Sequence, residues 1–171
     1  MRFGLKFGLA TATLWLAATS AQADTVVFAR SGRWEAFGGT STNGTPVCGV
    51  STSWPDNRYF GVKYYKGDRT ITIQLGSPDW RIANGAKQRI IMQIDENAYW
   101  TGNATGMHFD DNEAGLSFDI AASELGSFVG QFRRGDNLYF SFPNTTASDW
   151  TAGLEGTNNV TSAFANCIGA M

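Results

Sequence analysis

Apolar and polar positions alternate with a period of two along most of the chain. Thr70 to Leu75 (TITIQL) is the clearest case, with Ile71, Ile73 and Leu75 on one face and Thr70, Thr72 and Gln74 on the other. Tyr59 to Tyr65 (YFGVKYY) precedes it across the Lys66-Gly67-Asp68 turn, so the two predict a β-hairpin. Upstream, Trp34 to Phe37 is short and apolar-rich, and Gly38 to Pro46 is a turn-rich stretch. Val47 to Trp54 reads as a strand stopped by Pro55-Asp56-Asn57. Downstream, Asp79 to Ile82 is expected to be extended, Asn84-Gly85 to turn, and Lys87 to Ile94 to form the next strand. In that strand Ile91 breaks the alternation, which predicts partial burial on the second face. Ala98 to Thr101, Gly106 to Phe109 and Leu116 to Ile120 read as shorter strands, parted by Gly102-Asn103 and Asp110 to Gly115.

The period then changes. Leu125, Phe128, Val129 and Phe132 follow i, i+3, i+4, i+7, which predicts an amphipathic helix. Ser123 is its expected N-cap, Arg133 and Arg134 suit its C-terminal dipole, and Gly135 follows as the C′ glycine. Gly126 and Gly130 weaken it by roughly 1 kcal/mol each relative to Ala. Leu138, Phe140 and Phe142 alternate in a further strand, as do Trp150, Ala152 and Leu154. Thr157 is the expected cap of a terminal helix through Ile168, with Val160, Ala163, Phe164 and Cys167 inward. The sum is a mainly β chain: an antiparallel β-sandwich or partly open barrel of about ten short strands, with two short helices, one of them C-terminal.

The N-terminus has a different character. Arg2 and Lys6 flank a short positive start, Phe7 to Ser20 is uncharged and mostly apolar, and Ala21-Gln22-Ala23 matches a small-x-small cleavage site. Residues 1–23 are therefore expected to be a secretory signal peptide, leaving 24–171 as a single domain. The apolar run is shorter than the roughly 20 residues a membrane-spanning helix needs. No anchor is expected after cleavage, and the mature chain is expected in the periplasm or outside the cell. Removing Arg2 and Lys6 from the 13 basic residues leaves 11 against 15 acidic ones, a net charge of −4. That balance argues against affinity built on phosphate neutralisation, so no nucleic-acid partner is expected. In an oxidising compartment the two cysteines, Cys48 and Cys167, favour one disulfide over two free thiols.

Candidate chemistry is sparse. Two cysteines and a single histidine cannot build a four-ligand zinc site, so no metal or other cofactor is expected. His108 would have to serve any Ser-His-Asp device, and no G-x-S-x-G elbow presents a serine. The dense carboxylates, Asp95-Glu96 and Asp110-Asp111-x-Glu113, fall where turns favour Asp. The second group lacks the spacing of a calcium loop. No catalytic residue is assigned. Aromatic residues are a stronger lead: Trp54, Tyr59, Tyr64, Tyr65, Trp80, Trp100 and Trp150 suit stacking or a protein interface, although most are expected to fill the core. Trp54, Tyr59 and Tyr64 are the aromatic surface candidates. Arg134-Gly135-Asp136 spells the integrin tripeptide, and Arg134 and Asp136 join the surface candidates, although its position at a helix end explains it as a turn without any function. Asn43, Asn103, Asn144 and Asn159 begin N-x-T sequons, which behind a bacterial leader are expected to carry no glycan.

Three stretches, covering about half the mature chain, resemble the invasion-associated protein B family of alphaproteobacterial secreted proteins. They are Thr70 to Asp95 (TITIQLGSPDWRIANGAKQRIIMQID), Leu125 to Phe142 (LGSFVGQFRRGDNLYFSF) and Trp150 to Cys167. The family often has cysteines in the segment matching Thr101 to Phe109, where this chain has none, so its disulfide pattern does not transfer. The resemblance implies a β-rich fold, an envelope or secreted role and action at a host surface, and it supplies no catalytic residues. The function expected is binding of an envelope or host-surface protein or glycan, contributing to invasion or colonisation. A secreted enzyme inhibitor or carbohydrate-binding module is the alternative, and a carboxylate-based hydrolase the third.

Overall fold

The computed structural model describes residues 24–109, 113–143 and 148–171. The expected leader, Asp110-Asp111 and the Asn144 sequon lie outside them. Ten strands form one antiparallel sheet: β1 (Asp24–Ser31), β2 (Trp34–Thr40), β3 (Pro46–Ser53), β4 (Tyr59–Tyr65), β5 (Thr70–Gly76), β6 (Lys87–Ile94), β7 (Trp100–His108), β8 (Ala114–Ala121), β9 (Asn137–Ser141) and β10 (Trp150–Gly153). A 3-10 turn (Ala122–Glu124) leads into α1 (Leu125–Arg134), and α2 (Thr157–Gly169) is C-terminal. The strand order is β1-β2-β3-β4-β5-β8-β7-β6-β9-β10.

The registers place one continuous apolar face on the inside. From β4 to β8 it runs Phe60, Leu75, Leu116 in one row and Val62, Ile73, Phe118 in the next. Farther along, Met92 faces Phe140, and Phe140 faces Trp150. β4 and β9 are five places apart in the sheet, about 24 Å if it were flat. Yet the rings of Phe60 and Phe140 lie 5.6 Å apart. The sheet therefore curls until its inner face meets itself, without closing into a barrel. The helices lie on the inner side. Phe128 and Phe132 of α1 are stacked at 5.2 Å, and Phe132 meets Trp34 edge-on, also at 5.2 Å. α2 packs on α1 and across β1, β2 and β3. Cys48 of β3 and Cys167 of α2 are bonded, as expected, with Cα atoms 6.0 Å apart. Gly38 of β2 leaves room for that bond, since a Cβ there would sit 2.9 Å from Cys167 Sγ.

Several local expectations are corrected. Ala98 to Thr101 and Gly106 to Phe109 are not separate strands; β7 runs unbroken from Trp100 through Gly102-Asn103 to His108. Its inward positions carry Trp, Gly, Ala and Gly because other groups cover them. Phe118 lies over Gly102, and the Ala83 carbonyl would be 2.3 Å from a Cβ on Gly106. Asp79 to Ile82 is irregular rather than extended strand. Ser123 is not a cap, because it lies inside the 3-10 turn, and α1 starts behind Glu124 with no side-chain capping bond. Gly135 follows α1 in an extended conformation, and a Cβ there would meet Ile94 Cγ2 at 2.5 Å. Left-handed Gly156 occupies the N-cap of α2. Thr157 is the first helical residue, and its buried hydroxyl donates to the Phe132 and Leu154 carbonyls. β1 was not foreseen, because as an edge strand it is largely exposed, and its partly buried face carries Val27, Ala29 and Ser31 while the apolar Val26 and Phe28 point outward.

Candidate functional site

The antiparallel ladder brings the end of β3, the start of β4, the end of β5 and the starts of β6, β8 and β10 to one end of the molecule. A cleft of about 710 Å³ opens there, lined by Arg58, Ser77, Asp79, Trp80, Arg81, Phe142, Asp149 and Trp150, among others. Its wall is aromatic. Trp80 and Trp150 stack at 5.0 Å and 19°, and Phe142 meets Trp80 edge-on at 5.5 Å. Trp54 adds an edge contact to Trp150 at 6.4 Å. The Arg58 guanidinium carbon lies 5.3 Å from the Trp150 ring centre and 5.8 Å from that of Trp54, within cation–π range.

The turn that carries Trp54 and Arg58 is internally braced. Trp54 N–H donates to the Arg58 carbonyl at 3.0 Å, and Asn57 takes φ of 61°. Arg58 Nε donates to Asp56 Oδ2 at 2.8 Å. Desolvation is the largest single influence and raises the Asp56 pKa, but the hydrogen bonds and charge of Arg58 together outweigh it, so the net displacement is downward. Asp56 is thus held ionised, the wrong state for a general acid near neutral pH. On the opposite rim, Arg81 Nη1 donates to the Pro78 and Trp80 carbonyls at 2.8 Å each, which fixes the loop bearing Trp80. Asp149 accepts the Phe142 N–H at 3.3 Å.

The five surface candidates separate into four places. Trp54 stands beside this cleft, half-buried against Trp150 and Arg58, and is not among the residues that line it. Tyr59 lies on the convex face, its ring over Gly61 and edge-on to Phe109 at 5.3 Å. Tyr64 pairs in register with buried Cys48 and packs against the core from the inner side. Arg134 and Asp136 are exposed at the opposite end of the sheet, where β9 begins. There Asp95 has φ of 49°, and its carboxylate accepts the Asp136 and Asn137 N–H groups. Asp95 therefore holds the helix–strand corner that contains Arg134-Gly135-Asp136. Among the described residues no group of three metal-ligating side chains comes together.

Sequence reasoning named Trp80 and Trp150 as aromatics without joining them, and it passed over Arg81 and Asp149. Pro78-Asp79 was the available signal, because that pair favours a turn over a strand and so brings Trp80 back onto the sheet end.

No protein-family model matches the chain, and no curated sequence matches it either. Its fold, however, has a solved counterpart. The chain is similar to invasion associated protein B of Bartonella henselae. The TM-score is 0.51 at 17% identity, over 83% of this chain and 95% of the other. At that identity the likeness establishes the shared fold: the curled antiparallel sheet with its two helices. No described helix is long and apolar enough to cross a membrane.

Proposed function

We propose that this chain is a secreted or periplasmic binding protein with no catalytic chemistry of its own. Its recognition surface is the cleft lined by Arg58, Trp80, Arg81 and Trp150, with Trp54 packed behind Trp150. The partner is an envelope or host-surface macromolecule, and the biological role is in invasion or colonisation, the property for which the Bartonella protein is named. The observation that carries the proposal is Trp80, partly exposed at a cleft with a polar rim and stacked on the buried Trp150, which Arg58 flanks. Trp and Arg dominate binding hot spots because they desolvate large areas and keep few rotamers free. The disulfide is consistent with an oxidising compartment.

The test is capture on oxidised, immobilised protein from envelope and host-surface extracts, repeated with Trp80→Ala, Arg81→Glu and Arg134→Ala. A stoichiometric partner lost with the first two variants and kept with the third supports the cleft. A partner lost only with Arg134→Ala moves the site to the opposite end of the sheet. Capture of no partner from either extract counts against the macromolecular reading. A second reading, binding of a glycan, draws on the same aromatic wall and would show as retention on a glycan array abolished by Trp80→Ala.

A further inference from the structure

We propose that the convex face carries a second binding site, for a small hydroxy-carboxylate such as a sugar acid. The carboxylate is received by Lys63, Arg81 and His108, against the rings of Tyr59 and Phe109. These side chains, with Glu113, line a groove of about 970 Å³.

Lys63 is the centre of the argument. It projects from the middle of β4, half-buried, between the backbones of Gly49 and Thr72 on the neighbouring strands. It makes no hydrogen bond or ion pair among the described residues; the two ion pairs there are Arg30–Glu35 and Arg58–Asp56. A desolvated ammonium without a countercharge is unfavourable, and burial alone pushes its pKa down. A carboxylate seated in the groove supplies the missing partner through a charge-assisted hydrogen bond. Arg81 is held in place by its two carbonyl contacts and has no ion pair among the described residues.

The walls are rigid for a reason visible in the sequence. Phe109 lies flat over Gly76 and Gly115, where a Cβ would come within 2.9 and 2.4 Å of its ring. Tyr59 lies along Gly61, where a Cβ would meet its hydroxyl at 2.2 Å. Glycine at three neighbouring convex positions thus seats two aromatic rings as a floor beside Lys63. Glu113 decides the charge class of the ligand. Its carboxylate opposes a dianion such as phosphate, and its buried Oε1 has no hydrogen-bond donor. A small outward turn of the Glu113 side chain offers that covered oxygen to a ligand hydroxyl, so a carboxylate carrying hydroxyl groups fits both ends.

The test is a titration of the oxidised chain with glucuronate, followed by amide chemical shifts, with glucose, inorganic phosphate and sodium chloride as separate arms. Saturable shifts at Tyr59, Lys63 and Phe109 with glucuronate, absent with glucose and chloride, are expected. Lys63→Met should weaken that binding by about tenfold or more. Lys63→Gln gives the same reading should the Met variant fail to fold. Lys63 does not line the cleft at the sheet end, so its variants separate this groove from that cleft. No saturable shift at Lys63, an equal response to chloride, or unchanged affinity in the variants overturns the site. Phosphate binding as tightly as glucuronate overturns the assignment of ligand class.

Discussion

Removing the Cys48–Cys167 bond tests how the domain is held together. The bond spans a sequence separation of 119 and joins the third strand to the terminal helix. Chain entropy assigns a loop of that length about 5 kcal/mol at 25 °C, an upper figure. For a domain of this size, 1 kcal/mol corresponds to roughly 2–4 °C in Tm, so a fall of about 10–20 °C is expected. Cys167→Ser is the cleaner variant, because Cys167 is partly exposed whereas Cys48 is wholly buried among apolar side chains. Cys48→Ser should therefore fall at least as far, since it also buries a hydroxyl. Calorimetry of both variants against the oxidised wild type, with thiols titrated in the native state, provides the comparison. Reduced wild type should melt close to Cys167→Ser. A fall of less than about 3 °C, with the wild-type bond shown intact, would refute the claim that the long loop stabilises the fold.

Three further outcomes follow from the convex face and the helix. Gly115→Ala places a methyl 2.4 Å from the Phe109 ring and 2.7 Å from the Leu75 carbonyl, so backbone as well as side chain must shift. It should lose roughly 1–3 kcal/mol in urea unfolding, whereas Gly126→Ala on α1, with nothing within 4 Å, should gain up to about 1 kcal/mol. A neutral Gly115→Ala would show that the ring is not seated as described. Burial, with a smaller contribution from Tyr65, pushes the Tyr59 phenol up to about 12. The unfolded chain then loses this proton first, so stability is intact below about pH 10 and falls by roughly 2–3 kcal/mol as pH rises through 12. Tyr59→Phe should flatten that fall. Lys63, with its pKa lowered, works in the opposite direction in both proteins, so their difference isolates Tyr59. An unchanged alkaline slope in Tyr59→Phe would contradict the burial of the phenol.

The legible parts of this chain are those governed by neighbours in sequence. The Thr70 to Leu75 alternation became β5 with Ile71, Ile73 and Leu75 wholly buried. The Ile91 break became a half-buried outward residue, and the spacing of Phe128 and Phe132 became the buried stripe of α1. Misreadings arose where a distant group set the local conformation. Glycines in β7 resemble turn signals until Phe118 and the Ala83 carbonyl are seen above them. The candidate site was less legible still. Trp54 was correctly drawn to a turn, but Tyr59, Tyr64 and Arg134 fall on the convex face, the inner side and the far end respectively.

By itself the sequence determined a β-rich chain with two helices, the faces of its best strands and the pairing of its cysteines, because side-chain periodicity and cysteine count are local or countable properties. The tertiary structure alone decided that one sheet curls until Phe60 meets Phe140. It also decided that Trp80 stacks on Trp150 across 69 intervening positions of chain, and that Lys63 has no ion pair among the described residues. Those outcomes depend on strand order and sheet curvature, which are set by the summed packing of all ten strands and which no single segment encodes.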